Sequence, residues 1–206
     1  VNLTDGISSQ NFFFDVNSEI ELFTVTCAFD PKMVTIDRWE KMSDAVADFE
    51  KTIIDNGNHS FDFTNVTLHV QNAGSGPSTV RVEDHFVAPD DFWDLNPGFV
   101  LNPYHYWSVD GILSDGCHAE ATFKYNGSTN GSQGYMDNEL ITATEDSLVF
   151  LYRPDSGPVT MWEEVNGYEM LTGSSVTNKI GTVKIDTLRK GEYILARKDF
   201  TAGITS

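Results

Sequence analysis

The chain has 206 residues, with 31 Asp and Glu against 13 Lys and Arg, and a formal charge of −18. At 40% hydrophobic and 12% aromatic residues it is too rich in large apolar groups for a disordered acidic tail, and it is long enough to bury a core. The charge opposes phosphate backbones and anionic membrane surfaces, and no apolar run of about 18 residues exists to span a bilayer, so neither nucleic acid nor a membrane span is expected.

The opening, Val1-Asn2-Leu3-Thr4-Asp5, is neither an initiator Met nor a signal peptide and reads as a processed chain or an excised piece. Residues 11–16 form a short apolar run. Residues 20–29 (IELFTVTCAF) and 33–36 are rich in β-branched and aromatic side chains, so the first section reads as strands, with Pro31 at a turn or an edge. Over 38–54 the period lengthens. Trp39, Met42, Val46, Phe49 and Ile53 recur at three- and four-residue steps, with Ala45 on the same stripe, which predicts a short helix or connector. Val, Thr and Ile also crowd this stretch, and a strand pair is the competing reading. Asp55-Asn56-Gly57-Asn58 is a stop and turn signal.

Beyond Gly57 strand patterning persists. Residues 66–70 alternate, and residues 79–87 place Val80, Val82 and Phe86 on one face and Arg81, Glu83 and His85 on the other. A long loop over 88–103 carries Phe92 and Trp93. Further strands are expected over 104–112, 119–125, 148–153, 159–165, 181–188 and 192–196, with Asp-Gly and Asn-Gly pairs at 110–111, 115–116, 126–127, 130–131 and 166–167 supplying turns. Frequent turns without long helical segments predict an all-β, mainly antiparallel β-sandwich.

The zinc-peptidase motif HExxH, GxSxG, GxGxxG and the phosphate-binding loop are all absent. The densest polar constellation is Glu83-Asp84-His85 with Asp90, Asp91 and Asp94. Glu83 and His85 share a strand face beside a loop rich in Asp oxygens, so Glu83, His85, Asp90 and Asp91 are candidate calcium ligands. The competing reading makes Glu83 and His85 a solvated face and the two aspartates turn residues after Pro89. His118 and Glu120 form a weaker His–carboxylate pair, while His59, His69 and His105 are scattered without a Ser or Cys partner. Tyr104, Tyr106 and Trp93 could form an aromatic platform for a glycan; alternatively Trp107 and Val109 fill the core while Tyr104 and Tyr106 keep their hydroxyls at its edge. Cys27 and Cys117 have no zinc spacing and read as free thiols, a disulfide or a reactive thiol. Sequons begin at Asn2, Asn58, Asn65, Asn126 and Asn130, a mild excess that does not establish glycosylation.

Several stretches resemble the region that follows the catalytic domain in secreted bacterial M1-family metallopeptidases, the aminopeptidase N-like zinc enzymes. They are DPKMVTID at 30–37, KMSDAV at 41–46, VRVEDHFVAPD at 80–90, YWSVDGI at 106–112, DSLVFLYR at 146–153 and LRKGEYILA at 188–196. The resemblance implies that residues 1–56 are the end of a preceding β-sandwich plus a connector, and that residues 57–206 are a second sandwich of fibronectin or immunoglobulin type. It implies an accessory, non-catalytic C-terminal region of a secreted or cell-surface protein. Zinc would lie only in a catalytic domain of the same parent polypeptide, which would also be the partner. A peptide or glycan ligand and a homodimer are further expectations.

Overall fold

Alternation of apolar and polar side chains is what this chain converts into sheet. The structure, a computed structural model, describes residues 1–39, 44–90, 98–129, 136–142, 144–154 and 162–199. Among these residues there is no helix, hence none long and apolar enough to cross a membrane.

Strands β1 (Asn2–Thr4), β2 (Ser9–Asn11) and β3 (Met33–Thr35) form a small sheet ordered β2-β1-β3. There follow β4 (Val46–Ile53), β5 (Gly57–Phe61), β6 (Val66–Asn72), β7 (Ser78–His85), β8 (Phe99–Leu101), β9 (Tyr106–Ile112), β10 (His118–Asn126), β11 (Leu148–Arg153), β12 (Glu163–Glu164), β13 (Tyr168–Thr172), β14 (Ile180–Ile185) and β15 (Gly191–Lys198). Five of them build a sheet ordered β13-β14-β10-β6-β5. Seven build a second, ordered β12-β11-β15-β9-β7-β4, with β8 also paired to β15.

The two larger sheets close on one shared core, which makes this part of the molecule a β-sandwich. Phe61, Leu68, Phe123 and Ile185 come from the smaller of the two; Val82, Trp107, Phe150 and Tyr193 come from the larger. At the centre Phe123 meets Trp107 edge-on at 5.4 Å, Phe150 at 5.0 Å and Tyr193 at 5.1 Å between ring centroids. The buried polar tips of these rings are satisfied. Trp107 Nε1 donates to the Thr64 carbonyl at 3.0 Å, and the Tyr193 hydroxyl donates to the Arg189 carbonyl at 2.8 Å.

Residues 46–53 are a strand, which corrects the helix expected over 38–54. β4 pairs with β7 from Val46↔His85 to Ile53↔Ser78. Its branched Val46, Thr52 and Ile53 suit a pleated surface better than a helix. Period two then sorts the side chains: Phe49 and Ile53 turn to the core, while Asp48 and Glu50 turn outward to Arg81 and Arg38. Met42 lies outside the described residues. The boundary expected after residue 56 falls at the junction of β4 and β5, so β4 on its N-terminal side belongs to the larger sheet of the sandwich.

Two turn expectations separate in the same way. Asp115-Gly116 does turn between β9 and β10, with Gly116 at φ 78°, but Asp110-Gly111 lies inside β9. There the neighbouring strand runs so close that a Cβ on Gly111 would sit 2.2 Å from the Thr79 carbonyl oxygen.

The small N-terminal sheet packs on the outer face of the larger one. β3 contacts β9, Leu3 and Met33 are buried, and Arg38 pairs with Glu50 while reaching Asn2 Oδ1. Residues 13–31, expected to contain a strand over 20–29, form none. β1 is already paired on both sides, so the small sheet offers them no central position. Cys27 in this stretch and Cys117 in the β9–β10 turn are both free.

Phe123→Ala removes the ring that joins the two layers and is expected to lower unfolding free energy by about 3–5 kcal/mol in chemical denaturation. A loss under about 1 kcal/mol would mean that the sheets do not close on this residue.

Candidate functional site

At one end of the sandwich the two sheets part around a cleft of about 850 Å³. Asp84 at the end of β7 and His105 just before β9 reach it from the larger sheet; Tyr125 and Asn126 reach it from β10, and Asp137 from the turn that follows. Topology explains the convergence, because antiparallel neighbours bring the end of β7 beside the start of β9.

The floor is a buried ion cluster. His105 Nδ1 donates to Asp84 Oδ1 at 3.0 Å, and His105 Nε2 donates to Asp137 Oδ1 at 2.9 Å. Asn102 Nδ2 adds a 2.7 Å bond to Asp137 Oδ1, and the Asn126 backbone N–H donates to Asp137 Oδ2 at 2.7 Å. Asp84, His105 and Asp137 are 1%, 4% and 1% exposed. Burial alone would push the imidazole down. The hydrogen bonds to Asp137 and Asp84 outweigh it and raise its pKa to about 9, so His105 is an imidazolium at neutral pH. Beside it, the buried Tyr125 hydroxyl crosses the bare Cα of Gly181 to donate to Glu145 Oε2. Burial, then the Glu145 carboxylate, hold that phenol far above its ordinary range.

The rim is open and mixed, with exposed Asn65 and Lys124 beside four apolar side chains. Phe63, Phe86, Leu171 and Ile180 line the cleft, and each is exposed. Phe63 is the most unusual of them. It is 81% exposed and sits at φ 68° in the β5–β6 turn, a left-handed conformation that costs a bulky residue roughly 1–3 kcal/mol. The fold holds a large ring outward in a strained backbone, a combination that marks ligand-contacting loops more often than packing.

The residues expected from the sequence lie elsewhere, on the outer face of the larger sheet. Glu83 and His85 do share a face with Arg81, as alternation requires. Glu83 Oε1 accepts from Arg81 Nε at 2.7 Å. Its Oε2 accepts from Ser108 Oγ at 3.1 Å and lies 3.2 Å from His85 Nε2. Arg81 also pairs with Asp48. Both carboxylate oxygens are therefore engaged by the chain's own donors. Burial would raise the Glu83 carboxyl, but hydrogen bonds from His85 and Arg81 bring it down to about 2. Asp90 is exposed, and its carbonyl accepts from Arg153 at 3.4 Å; Asp91 lies outside the described residues. Among the described residues no group of three or more His, Cys, Asp or Glu side chains is arranged to hold a metal ion. Glu120 is engaged by Lys184 at 2.8 Å and by Gln71 at 2.7 Å, while His118 is exposed.

The expected aromatic platform is also divided. Tyr104 is exposed. Tyr106 is 9% exposed, with its ring stacked on His85 at 4.5 Å and 4°, so its face is already covered. Burial, then the Glu192 and Asp90 charges, push the Tyr106 phenol up to about 12. Trp93 lies outside the described residues. Trp107 and Val109 fill the core, 1% and 2% exposed.

No local spacing marks the ion cluster, because His105 finds its partners 21 and 32 positions away. The available sign was Asp84, which falls on the apolar face of β7 between Val82 and Phe86. A charge on a core face calls for a buried partner. Comparison of the chain with protein-family models, curated proteins and solved structures gives no match.

Two pH dependences follow. His105 has a folded value above its ordinary 6.5, so its contribution is full below pH 6.5 and is lost as pH rises through about 9. The difference corresponds to roughly 3 kcal/mol. Denaturant titrations should show wild type losing stability across that window and His105→Gln, less stable at pH 6.5, staying nearly flat; a flat wild-type profile contradicts the buried imidazolium. Glu83 behaves oppositely: its contribution is present above pH 4.5 and is lost as pH falls toward about 2. Glu83→Gln should therefore narrow the fall in melting temperature over that acid range, and an unchanged acid limb would discount the Arg81–Glu83–His85 contacts.

Proposed function

We propose that the chain is a non-catalytic β-sandwich module of a secreted or cell-surface protein, seating an apolar group of a partner polypeptide in the cleft at the end of the sandwich. The observation that carries this reading is the contrast between the cleft's floor and its rim. A general base must present a free lone pair. His105 is an imidazolium whose two nitrogens both donate to carboxylates, so it has none to offer. The rim, by contrast, offers the exposed side chains of Phe63, Phe86, Leu171 and Ile180, with Asn65 and Lys124 beside them, over a polar floor, the usual composition of a binding site.

The sequence resemblance suggests the setting: an accessory C-terminal region of an M1-like zinc aminopeptidase. The partner in that setting is the catalytic domain of the same polypeptide, which would hold the zinc, and this chain contributes shape, solubility or control of substrate access. Its strong negative charge would keep it soluble and bias against acidic peptides. Glycan stacking on Trp93, Tyr104 and Tyr106 has less support, because the Tyr106 ring is covered by His85.

The purified chain is expected to hydrolyse no aminoacyl-anilide, with or without added zinc. It should enhance the fluorescence of the neutral dye Nile red, and combined Phe63→Ser and Phe86→Ser should cut that signal several-fold at an unchanged melting temperature. Turnover above a matched blank, or dye binding indifferent to the substitutions, overturns the proposal.

A further inference from the structure

The connection between β2 and β3 is a surface the cleft does not account for. Both strands run antiparallel to β1 and therefore parallel to each other, so the chain must cross from one end of the small sheet to the other. It does so through residues 13–31. Connections longer than about 12–15 residues with no secondary structure are uncommon in a folded domain and are often functional. This one is also the wrong composition for a solvated loop. Phe13, Val16, Ile20 and Leu22 are 77%, 68%, 89% and 94% exposed. Phe14 stacks on Phe23 at 4.3 Å, which ties its two apolar runs together at one point.

The backbone of this connection lies outside the sheet ladder. Ladder bonds end at Phe12, which exchanges both backbone hydrogen bonds with Val1 at 2.8 Å, and resume at Lys32, whose N–H donates to the Thr4 carbonyl at 2.8 Å. Between them, no backbone group of residues 13–31 bonds another backbone group among the described residues. The local bonds are polar side-chain contacts such as Asn17 N–H to Glu21 Oε2 at 3.2 Å and Ser18 Oγ to the Ile20 carbonyl at 3.0 Å. A β-branched and aromatic run that makes no backbone–backbone bond among the described residues and leaves Ile20 and Leu22 exposed has the chemistry of a strand without its sheet.

Charge narrows the partner. Residues 20–29 carry Glu21 and no Lys or Arg, and Asp15, Glu19 and Asp30 lie in the segments that flank them. A second copy would bring the same Glu21 and acidic flanks on a chain of charge −18, and like charges facing each other are destabilising. We propose that residues 20–29 add as a strand to the free sheet edge of a partner polypeptide that carries Lys or Arg along that edge. Backbone bonds supply the affinity and the basic side chains supply the selection. This interaction is independent of the cleft.

The test uses the whole chain and two fluorescent synthetic peptides, one alternating lysine with valine and the other alternating glutamate with valine. The lysine peptide is expected to bind at least about tenfold more tightly, with amides in 20–29 gaining protection from hydrogen exchange. Successive amides point to opposite sides of a strand, so Thr24→Pro and Val25→Pro are made separately. At least one should weaken binding about tenfold without moving the melting temperature. Equal binding of both peptides, protection confined to other residues, or full binding by both proline variants overturns the proposal. So does protection of 20–29 that rises with protein concentration in the absence of peptide, which would identify a second copy as the partner.

Discussion

Contact between Phe123 on one layer and Trp107, Phe150 and Tyr193 on the other sets the spacing of the sandwich, and the end cleft inherits its geometry from that spacing. His105 precedes Trp107 by two residues and presents its ring to the indole at 4.6 Å and 72°. Asn126 closes the strand that carries Phe123, and its backbone N–H holds the second oxygen of Asp137. The aromatic contact thus fixes both halves of the ion cluster. A shift in sheet separation would part the imidazolium from one carboxylate and leave an unpaired charge in a low-dielectric site, which is far more costly than losing an exposed pair.

Scarcity of cations shapes the rest. With 31 carboxylates against 13 Lys and Arg, most acidic groups must face water, and four that are covered share two positive charges. Arg81 serves Asp48 and Glu83, and His105 serves Asp84 and Asp137. The two arrangements use opposite faces of β7, whose residues alternate between them. Arg81 and Glu83 knit the outer face beneath the N-terminal sheet, while Val80, Val82 and Asp84 point inward. A one-residue slip of β7 against its neighbours would bury Arg81 and Glu83 in the core and expose the valines, so the charge pairs specify register as much as stability.

Period-two patterning made the sandwich legible. Expected strands over 66–70, 104–112, 119–125 and 148–153 coincide with β6, β9, β10 and β11, and the core positions of Val80, Val82, Trp107 and Val109 were readable from alternation alone. What failed were signals with more than one physical cause. Apolar steps of three and four residues over 39–53 also arise when a strand's core face, here Phe49 and Ile53, is interleaved with partly covered outer residues. Asp-Gly often marks a turn, yet Gly111, at φ 155°, continues β9 and makes room for Thr79 in the next strand. The ion cluster could not be read locally because its members meet only when β7, β9 and the turn after β10 are assembled.

The contrast between residues 46–53 and 20–29 separates propensity from pairing. Both stretches are rich in β-branched and aromatic side chains. The first becomes a strand because β7 presents it with a complete antiparallel edge of matching length, on which Arg81 also pairs with Asp48. The second has stronger β composition and a longer run, yet the adjacent sheet is three residues deep and already flanked on both sides of β1. Strand propensity in a sequence measures fitness for a half-buried pleated surface. Whether that surface exists is a property of the neighbours, so a stretch of high propensity stays out of a sheet when no edge is free to receive it.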